Sequence, residues 1–340
     1  MYLTAQGKKV LILEQSEYVG GAWGKVPLNE DWPDFQLGCH IWDIEPKAFE
    51  FLAQFLDMEF TPLVPQPKFV FKGMKLAYDY KNLIFYVGSL LGRKGEKASF
   101  KKARIIPAKY IYPSGGSLQF IDRLLNKVDE FGIEIKTGVK VDQISIDDKA
   151  SISTSQLNLT SDEVVLTSVS QLNNIESKEA GKMELPLPRL VDYIHCHLIV
   201  KDSSKAKFSY VRLPESKLIH RVSDETNHIV DHGIEMNGHK LILAGVLPHR
   251  YEKNKEADLA NALIEELKKL KFISNDAVLE SHHWNVFPTH YIPHDERPKI
   301  VERFKPYVRL MHTTNLIFGI RDNVDRWKIL AQKKAPESAF

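Results

Sequence analysis

A chain of 340 residues can bury one large core, though by length alone two domains are the more usual division. Its 43% hydrophobic and 26% charged content is that of an ordinary folded protein, which excludes a disordered or fibrous class. Formal net charge is +2, with 46 basic against 44 acidic side chains, so no strong long-range field favours nucleic acid as a partner.

Cys39 and Cys196 lie far apart and match neither a disulfide framework nor a C-x-x-C metal or redox signature. Both are read as reduced thiols of a cytoplasmic protein. No uninterrupted apolar run reaches membrane-spanning length, Leu83 to Leu91 being the longest, so no transmembrane segment is expected.

In chain order, Met1 to Gln6 reads as the last turn of a helix closed by Gly7. Val10 to Leu13 is a continuous apolar run ending in Glu14, the pattern of a parallel strand covered on both faces. Pro46 opens a helix in which Phe49, Leu52 and Leu56 share one face and Phe51 and Phe55 another. From Lys68 to Pro113 the texture changes to short strands and loops, read as an insertion outside the α/β core. That core resumes at Tyr112-Pro113-Ser114-Gly115-Gly116, followed by a helix with Leu118, Ile121, Leu125 and Val128 on one face and a stop at Gly132. Strands follow at Ile133 to Lys136, Val139 to Ile146 and Glu163 to Thr167, then at Ile194 to Val200 and Leu241 to Val246. Leu259, Leu263, Leu267 and Leu270 mark an amphipathic helix packed on a sheet. Asn315 to Gly319 is a further buried strand, with a helix from about Val324.

A dinucleotide fold grips its cofactor twice. A glycine-rich turn after the first strand holds the pyrophosphate, and an acid ending the second strand takes the adenosine ribose hydroxyls. Lys9-Val10-Leu11-Ile12-Leu13-Glu14 followed by Gly20-Gly21-Ala22-Trp23 has the order of such a second strand, its acid and a double glycine. This segment resembles the N-terminal region of the flavin-binding GG-doublet superfamily, which includes amine oxidases, protoporphyrinogen oxidases, phytoene desaturases and UDP-galactopyranose mutase. The resemblance implies FAD held by Glu14 at the adenosine ribose and by Gly20, Gly21, Ala22 and Trp23 near the phosphates. Phe35 to Ile41 resembles the segment beside the isoalloxazine ring, where Gly38 allows close backbone approach and His40 is the flavin contact. The other reading of His40 is a core histidine hydrogen-bonded within a strand. Val139-Lys140-Val141 resembles the family's adenine segment, which implies that the backbone of Val141 holds the adenine. Asn315 to Asp322 is similar to the closing strand, with Gly319 against the flavin and Arg321 as a cofactor or substrate contact. Gly319-Ile320-Arg321 departs from the Gly-Asp ending of the oxidases and is closer to the mutase branch.

The largest departure is the glycine-rich G-x-G-x-x-G turn, which does not precede Val10 to Leu13. Either about thirty residues are missing from the front, or the chain is a degenerate relative. Without those amides, FAD affinity falls by several kcal/mol if each charge-assisted bond contributes roughly 1.5–3.

Thirteen histidines raise a metal reading: His195 and His197 share one strand face, His282 and His283 are adjacent, and His228 and His232 have helical spacing. None stands beside a carboxylate or cysteine in a recognised ligand pattern, so no metal is expected. The basic cluster of Arg93, Lys94, Lys97, Lys101, Lys102 and Arg104 has three readings: a solvated face, a loop for an anionic substrate, or a peripheral membrane contact.

The expected fold is α/β: a Rossmann-like FAD-binding domain, incomplete at its N-terminus, from residues 1–45, 114–170 and 285–340, with an inserted α+β substrate domain from 46–113 and 171–284. The implied activity is that of an FAD-dependent oxidoreductase of the amine oxidase and protoporphyrinogen oxidase type, passing hydride from a small-molecule substrate to flavin N5. A flavin-dependent isomerase of the mutase type and a truncated, non-catalytic remnant are the alternatives. No catalytic residue and no oligomeric state can be read from the chain.

Overall fold

The structure, a computed structural model, describes residues 1–26, 35–36, 42–43, 46–80, 84, 109–166, 174–177, 181–184, 189–204, 207–226, 235–291 and 308–310. The chain divides into two compact units, one built from Met1–Gly21, Arg123–Asp192 and Pro288–Phe340, the other from Ala22–Asp122 and Tyr193–Phe287.

The first unit opens with a single helical turn, α1 (Tyr2–Ala5). It closes where the N–H of Gly7 donates to Thr4 O at 2.8 Å and that of Lys8 to Leu3 O at 3.1 Å. This double closure needs a left-handed residue, and Gly7 supplies it at φ +81°. Strand β1 (Leu11–Leu13) then runs parallel to β9 (Glu134–Lys136), with Leu11 opposite Glu134 and Leu13 opposite Lys136. A parallel neighbour so distant in sequence needs a crossover, and here it includes α3 (Gly116–Glu130), the helix that leads into β9. The apolar run of β1 is only half-buried, and Ile12 is 38% exposed rather than enclosed on both faces. Its one hydrogen-bonded neighbour among the described residues is β9, and two strands are too few to shield both sides.

Next in the unit is a five-stranded sheet of order β12-β11-β10-β14-β15. Its strands are β10 (Val141–Ile146), β11 (Ala150–Thr154), β12 (Asn158–Ser161), β14 (Asn174–Ser177) and β15 (Gly181–Glu184). Its buried side chains are Ile144, Ile146, Ala150, Ile152 and Ile175, at every second position along β10 and β11 as a half-buried sheet requires. Strand β13 (Val164–Leu166) pairs in parallel with β21 (Val308–Leu310). The expected tail strand from Asn315 to Gly319 lies outside the described residues.

The second unit is organised by a seven-stranded sheet of order β20-β16-β19-β18-β17-β6-β7. Its members are β6 (Lys68–Phe71), β7 (Met74–Ala77), β16 (Arg189–Lys201), β17 (Tyr210–Arg212), β18 (Ile219–Asp224), β19 (His239–Val246) and β20 (Val278–Tyr291). The hairpin of β6 and β7, read from the sequence as part of an insertion, is the far end of this sheet. Helix α4 (Glu256–Lys269) lies on one face, burying Ala260, Leu263, Ile264 and Leu267. Opposed to it are Cys196, Leu198, Val211, Val222, Ile242 and Ala244, each no more than 1% exposed.

A smaller three-stranded sheet of order β4-β8-β5 completes the unit, from β4 (Trp42–Asp43), β5 (Phe60–Pro62) and β8 (Tyr110–Pro113). Helix α2 (Pro46–Leu56) buries Leu52 and Leu56, one turn apart. A hairpin of β2 (Lys25–Val26) and β3 (Phe35–Gln36) precedes these elements.

The second unit is tied at one edge by Asp202, whose side chain is fully buried. Its Oδ1 accepts from the N–H of Ser204 at 3.0 Å, the N–H of Ser274 at 3.1 Å and the hydroxyl of Ser274 at 2.6 Å. Its Oδ2 accepts from the Ser204 hydroxyl at 2.6 Å and from Lys240 Nζ at 2.7 Å. Burial opposes ionisation of this carboxyl, but the bonds from Lys240, Ser204 and Ser274 outweigh it and hold its pKa well below the usual range. One side chain therefore joins the end of β16, the start of β19 and the segment after α4.

Candidate functional site

In the first unit the sequence-predicted acid sits where β1 ends. The N–H of Glu14 donates to Lys136 O at 2.9 Å, extending the parallel ladder by one residue. The carbonyl of Glu14 accepts from the N–H of Val139, also at 2.9 Å. The backbone is therefore fixed on both sides, and the Ser16 N–H donates to Glu14 Oε1 at 2.8 Å, fixing the carboxylate as well. A carboxylate has about four lone-pair positions, and this bond uses one of them.

The same pairing brings the start of β10 to Glu14, because Val141 lies two residues beyond Val139. Immediately before Val139, Gly138 donates its N–H to Ser16 O at 2.9 Å and has φ +66°. That left-handed backbone favours glycine, whereas the Glu17 Oε1 that a Cβ there would meet at 2.9 Å is the movable end of a side chain.

Gly20 and Gly21 follow at φ +122° and +53°, and a short 3-10 turn covers Gly21–Trp23. A Cβ on Gly21 would meet nothing within 4 Å among the described residues. Ala22 contributes backbone to this turn. The Trp23 ring packs on Phe120 in the second unit, centroids 5.6 Å apart. Gly38, His40, Gly319 and Arg321 lie outside the described residues, as do the basic cluster and the histidines at 228 and 232.

The second unit holds a polar arrangement that sequence reasoning touched only through its histidines. Side chains alternate across a sheet, so the face opposite α4 takes the residues between the core positions. Cys196, Ala244, Val222 and Val211 are mutually opposed on the α4 side. On the other side the adjacent row runs His195, Gly245, Arg221, Arg212, each directly opposite the next. A second row there runs His197, Leu243, Ser223, Tyr210. His195 and His197 thus share a face, as their spacing implies, and both are buried, at 2% and 0% exposure.

Their partners differ from what a metal would need. His195 Nε2 is hydrogen-bonded by Arg221 Nη2. Because guanidinium can only donate, that nitrogen is the acceptor of a neutral ring protonated at Nδ1. His197 Nδ1 meets Asn285 Nδ2 at 3.2 Å, and its ring stands 6.5 Å from that of His283.

The register slips by one residue at His220, which makes it the extra residue of a β-bulge between Ile219 and Arg221. Both His220 and Arg221 then crowd Gly245. A Cβ on that glycine would lie 2.6 Å from Arg221 Cγ and 2.7 Å from His220 Nε2. Gly245 was the available sequence signal, a glycine inside the apolar run Leu241 to Val246, where close approach of a neighbour is the usual reason. Arg212, Arg221, Ser223 and Asn285 carried no local signal of their own.

Burial, and then the charges of Arg221 and Arg212, lower the His220 pKa from 6.5 to about 3. Unfolded, this imidazole takes up a proton below pH 6.5; folded, it stays neutral down to about 3. Stability therefore falls with pH throughout that window. Urea unfolding is expected to show about 2 kcal/mol less stability at pH 5 than at pH 7 from this group, at about 1.4 kcal/mol per pK unit. His220→Gln flattens that slope, and an unchanged slope in the variant would contradict the assignment.

No protein-family model and no curated protein sequence matches the chain. Solved structures do. A reduced UDP-galactopyranose mutase superimposes with a TM-score of 0.63 at 14% identity, over 90% of this chain and 82% of that one. A putative protoporphyrinogen oxidase from Exiguobacterium gives 0.61 at 12% identity, over 97% of this chain and 96% of the other. Cyclohexylamine oxidase from Brevibacterium oxydans gives 0.60 at 12% identity, with the same two coverages, 97% and 96%. The chain has a mixed α/β architecture of several sheets, and its fold is the one shared by flavin amine oxidases, protoporphyrinogen oxidase and UDP-galactopyranose mutase.

Proposed function

We propose that the protein binds FAD and acts as a flavin-dependent oxidoreductase on a small molecule. The observation that carries this reading is the placement of Glu14: an acid at the exit of a parallel strand, its Oε1 fixed by the Ser16 N–H at 2.8 Å. The remaining lone pairs suit the two hydroxyls of an adenosine ribose. Val141, next along the chain from the segment hydrogen-bonded to Glu14, presents backbone to the adenine. Gly20 and Gly21, both in positive-φ backbone, let the chain approach the phosphates, with Ala22 and Trp23 completing that turn. Gly38, His40, Gly319 and Arg321 are assigned to the flavin end on the resemblance alone.

FAD supplies the hydride acceptor when bound, and the protein binds and orients it and the substrate. In this reading residues 1–45, 114–170 and 285–340 form the cofactor domain and 46–113 with 171–284 the substrate domain. The fold likeness to putrescine, cyclohexylamine and protoporphyrinogen oxidases supports the oxidoreductase class. A second reading, a flavin-dependent isomerase of a nucleotide sugar, is supported by the fold likeness to UDP-galactopyranose mutase.

Titrating the purified chain with FAD and following flavin fluorescence tests the cofactor assignment. Saturable binding is expected, weakened about 10- to 100-fold by Glu14→Ala, the equivalent of roughly 1.5–3 kcal/mol for bonds to a charged acceptor. A chain that takes up no FAD, or one that binds it equally well without the carboxylate, contradicts this reading.

A further inference from the structure

We infer that the sheet face carrying His195, Gly245, Arg221 and Arg212 is a binding site for an oxyanion, a carboxylate or phosphate group borne by a small molecule. This goes beyond the flavin reading, because it concerns the second unit alone and does not depend on a bound cofactor.

Arg212 and Arg221 are directly opposite on adjacent strands, on one face of the sheet. Like charges so placed repel, and an anion between or above them turns that cost into attraction. Arg221 is also incompletely satisfied by the protein. Its Nη2 donates to His195, while its Nε is buried and has no hydrogen-bond partner among the described residues. A buried, unpaired guanidinium nitrogen is costly, and an oxyanion is the acceptor it fits, through the planar fork that binds two oxygens at once.

The surroundings hold Arg221 in place. The bulge at His220 brings the side chains of His220 and Arg221 together over Gly245. Any larger residue at 245 would fill the lane that the Arg221 stem occupies. The Tyr193 ring lies 5.9 Å from the Arg221 guanidinium carbon, supporting it from one side. Tyr193, at that end of the row, is 38% exposed.

His195 is neutral, as an acceptor from Arg221 must be, and His220 is neutral through burial and the two arginines. Glu225 lies on the same face of the sheet, but four residues along from Arg221, about 13 Å at the usual rise per residue.

The test is isothermal titration of the full chain with inorganic pyrophosphate and, separately, with benzoate, each with and without saturating FAD. At least one anion is expected to bind at submillimolar concentration, with the same affinity whether or not FAD is present. The anion that binds identifies the source as phosphate or carboxylate. Arg221→Gln is expected to weaken it about tenfold or more and Arg221→Lys by less, since lysine keeps the charge but loses the fork. Lys149→Gln, which removes an exposed cation in the first unit, is expected to leave binding unchanged. Should Arg221→Gln fail to fold, phenylglyoxal labelling of the wild-type chain replaces it, with pyrophosphate or benzoate slowing modification of Arg221 severalfold. Absence of binding by both anions, binding indifferent to Arg221→Gln, or Arg221 labelled at the same rate with and without the anions overturns the proposal. FAD titration fails or succeeds separately from all three.

Discussion

Asp202→Ala is expected to destabilise the protein by about 3–5 kcal/mol, the range found when one partner of a buried ion pair is removed. The substitution strips the carboxylate from Lys240 Nζ, whose side chain is only 12% exposed, and leaves the donors of Ser204 and Ser274 facing a methyl group. Asp202→Asn keeps an acceptor for one serine and is expected to cost less. The acid dependence has a definite sign. The folded carboxyl has a lowered pKa, so its contribution is complete above the ordinary carboxylate range and is lost as pH falls through the folded value. Urea unfolding at neutral pH measures the loss, and a difference below about 1 kcal/mol would show that the network is not closed as described.

Leu263→Ala comes next in size, with an expected loss of about 3 kcal/mol and no effect on anion binding. Leu263 is fully buried on α4, against the sheet residues opposite the histidine and arginine rows. Truncation there removes transfer energy and opens a cavity on one side of the sheet only. Retention of pyrophosphate or benzoate binding in the folded variant would separate the two faces functionally. Equal loss of stability and binding would show that the rows respond to the core beneath them.

Local chemistry made part of this structure legible in advance. A capping glycine, an apolar run and an acid are read within one segment, and α1, Gly7, β1 and Glu14 follow in that order. The leucines of α4 likewise reveal their buried face by spacing alone. Pairing between distant segments was not legible. Nothing in Val164 to Leu166 announces Val308 to Leu310 as its parallel partner, because a parallel pair leaves no turn to read. The bulge at His220 was hidden for a related reason. One extra residue changes which side chains share a face, and that is visible only once the partner strand is known. Arg221 carried no signal of its own, so its approach to His195 was not legible, whereas His195 and His197 were placed on one face by their own spacing. The expectation of a fully enclosed β1 failed on exposure, since Ile12 faces solvent by 38%.

In the proposed reading Glu14 holds the adenosine half of a dinucleotide. Comparing FAD with FMN, which carries the same isoalloxazine but no adenosine, tests this most directly. Equilibrium titration is expected to give FAD at least tenfold tighter binding than FMN, with Glu14→Ala erasing most of that preference. Equal affinity for the two flavins, or a preference for FAD that survives the loss of the carboxylate, would contradict it.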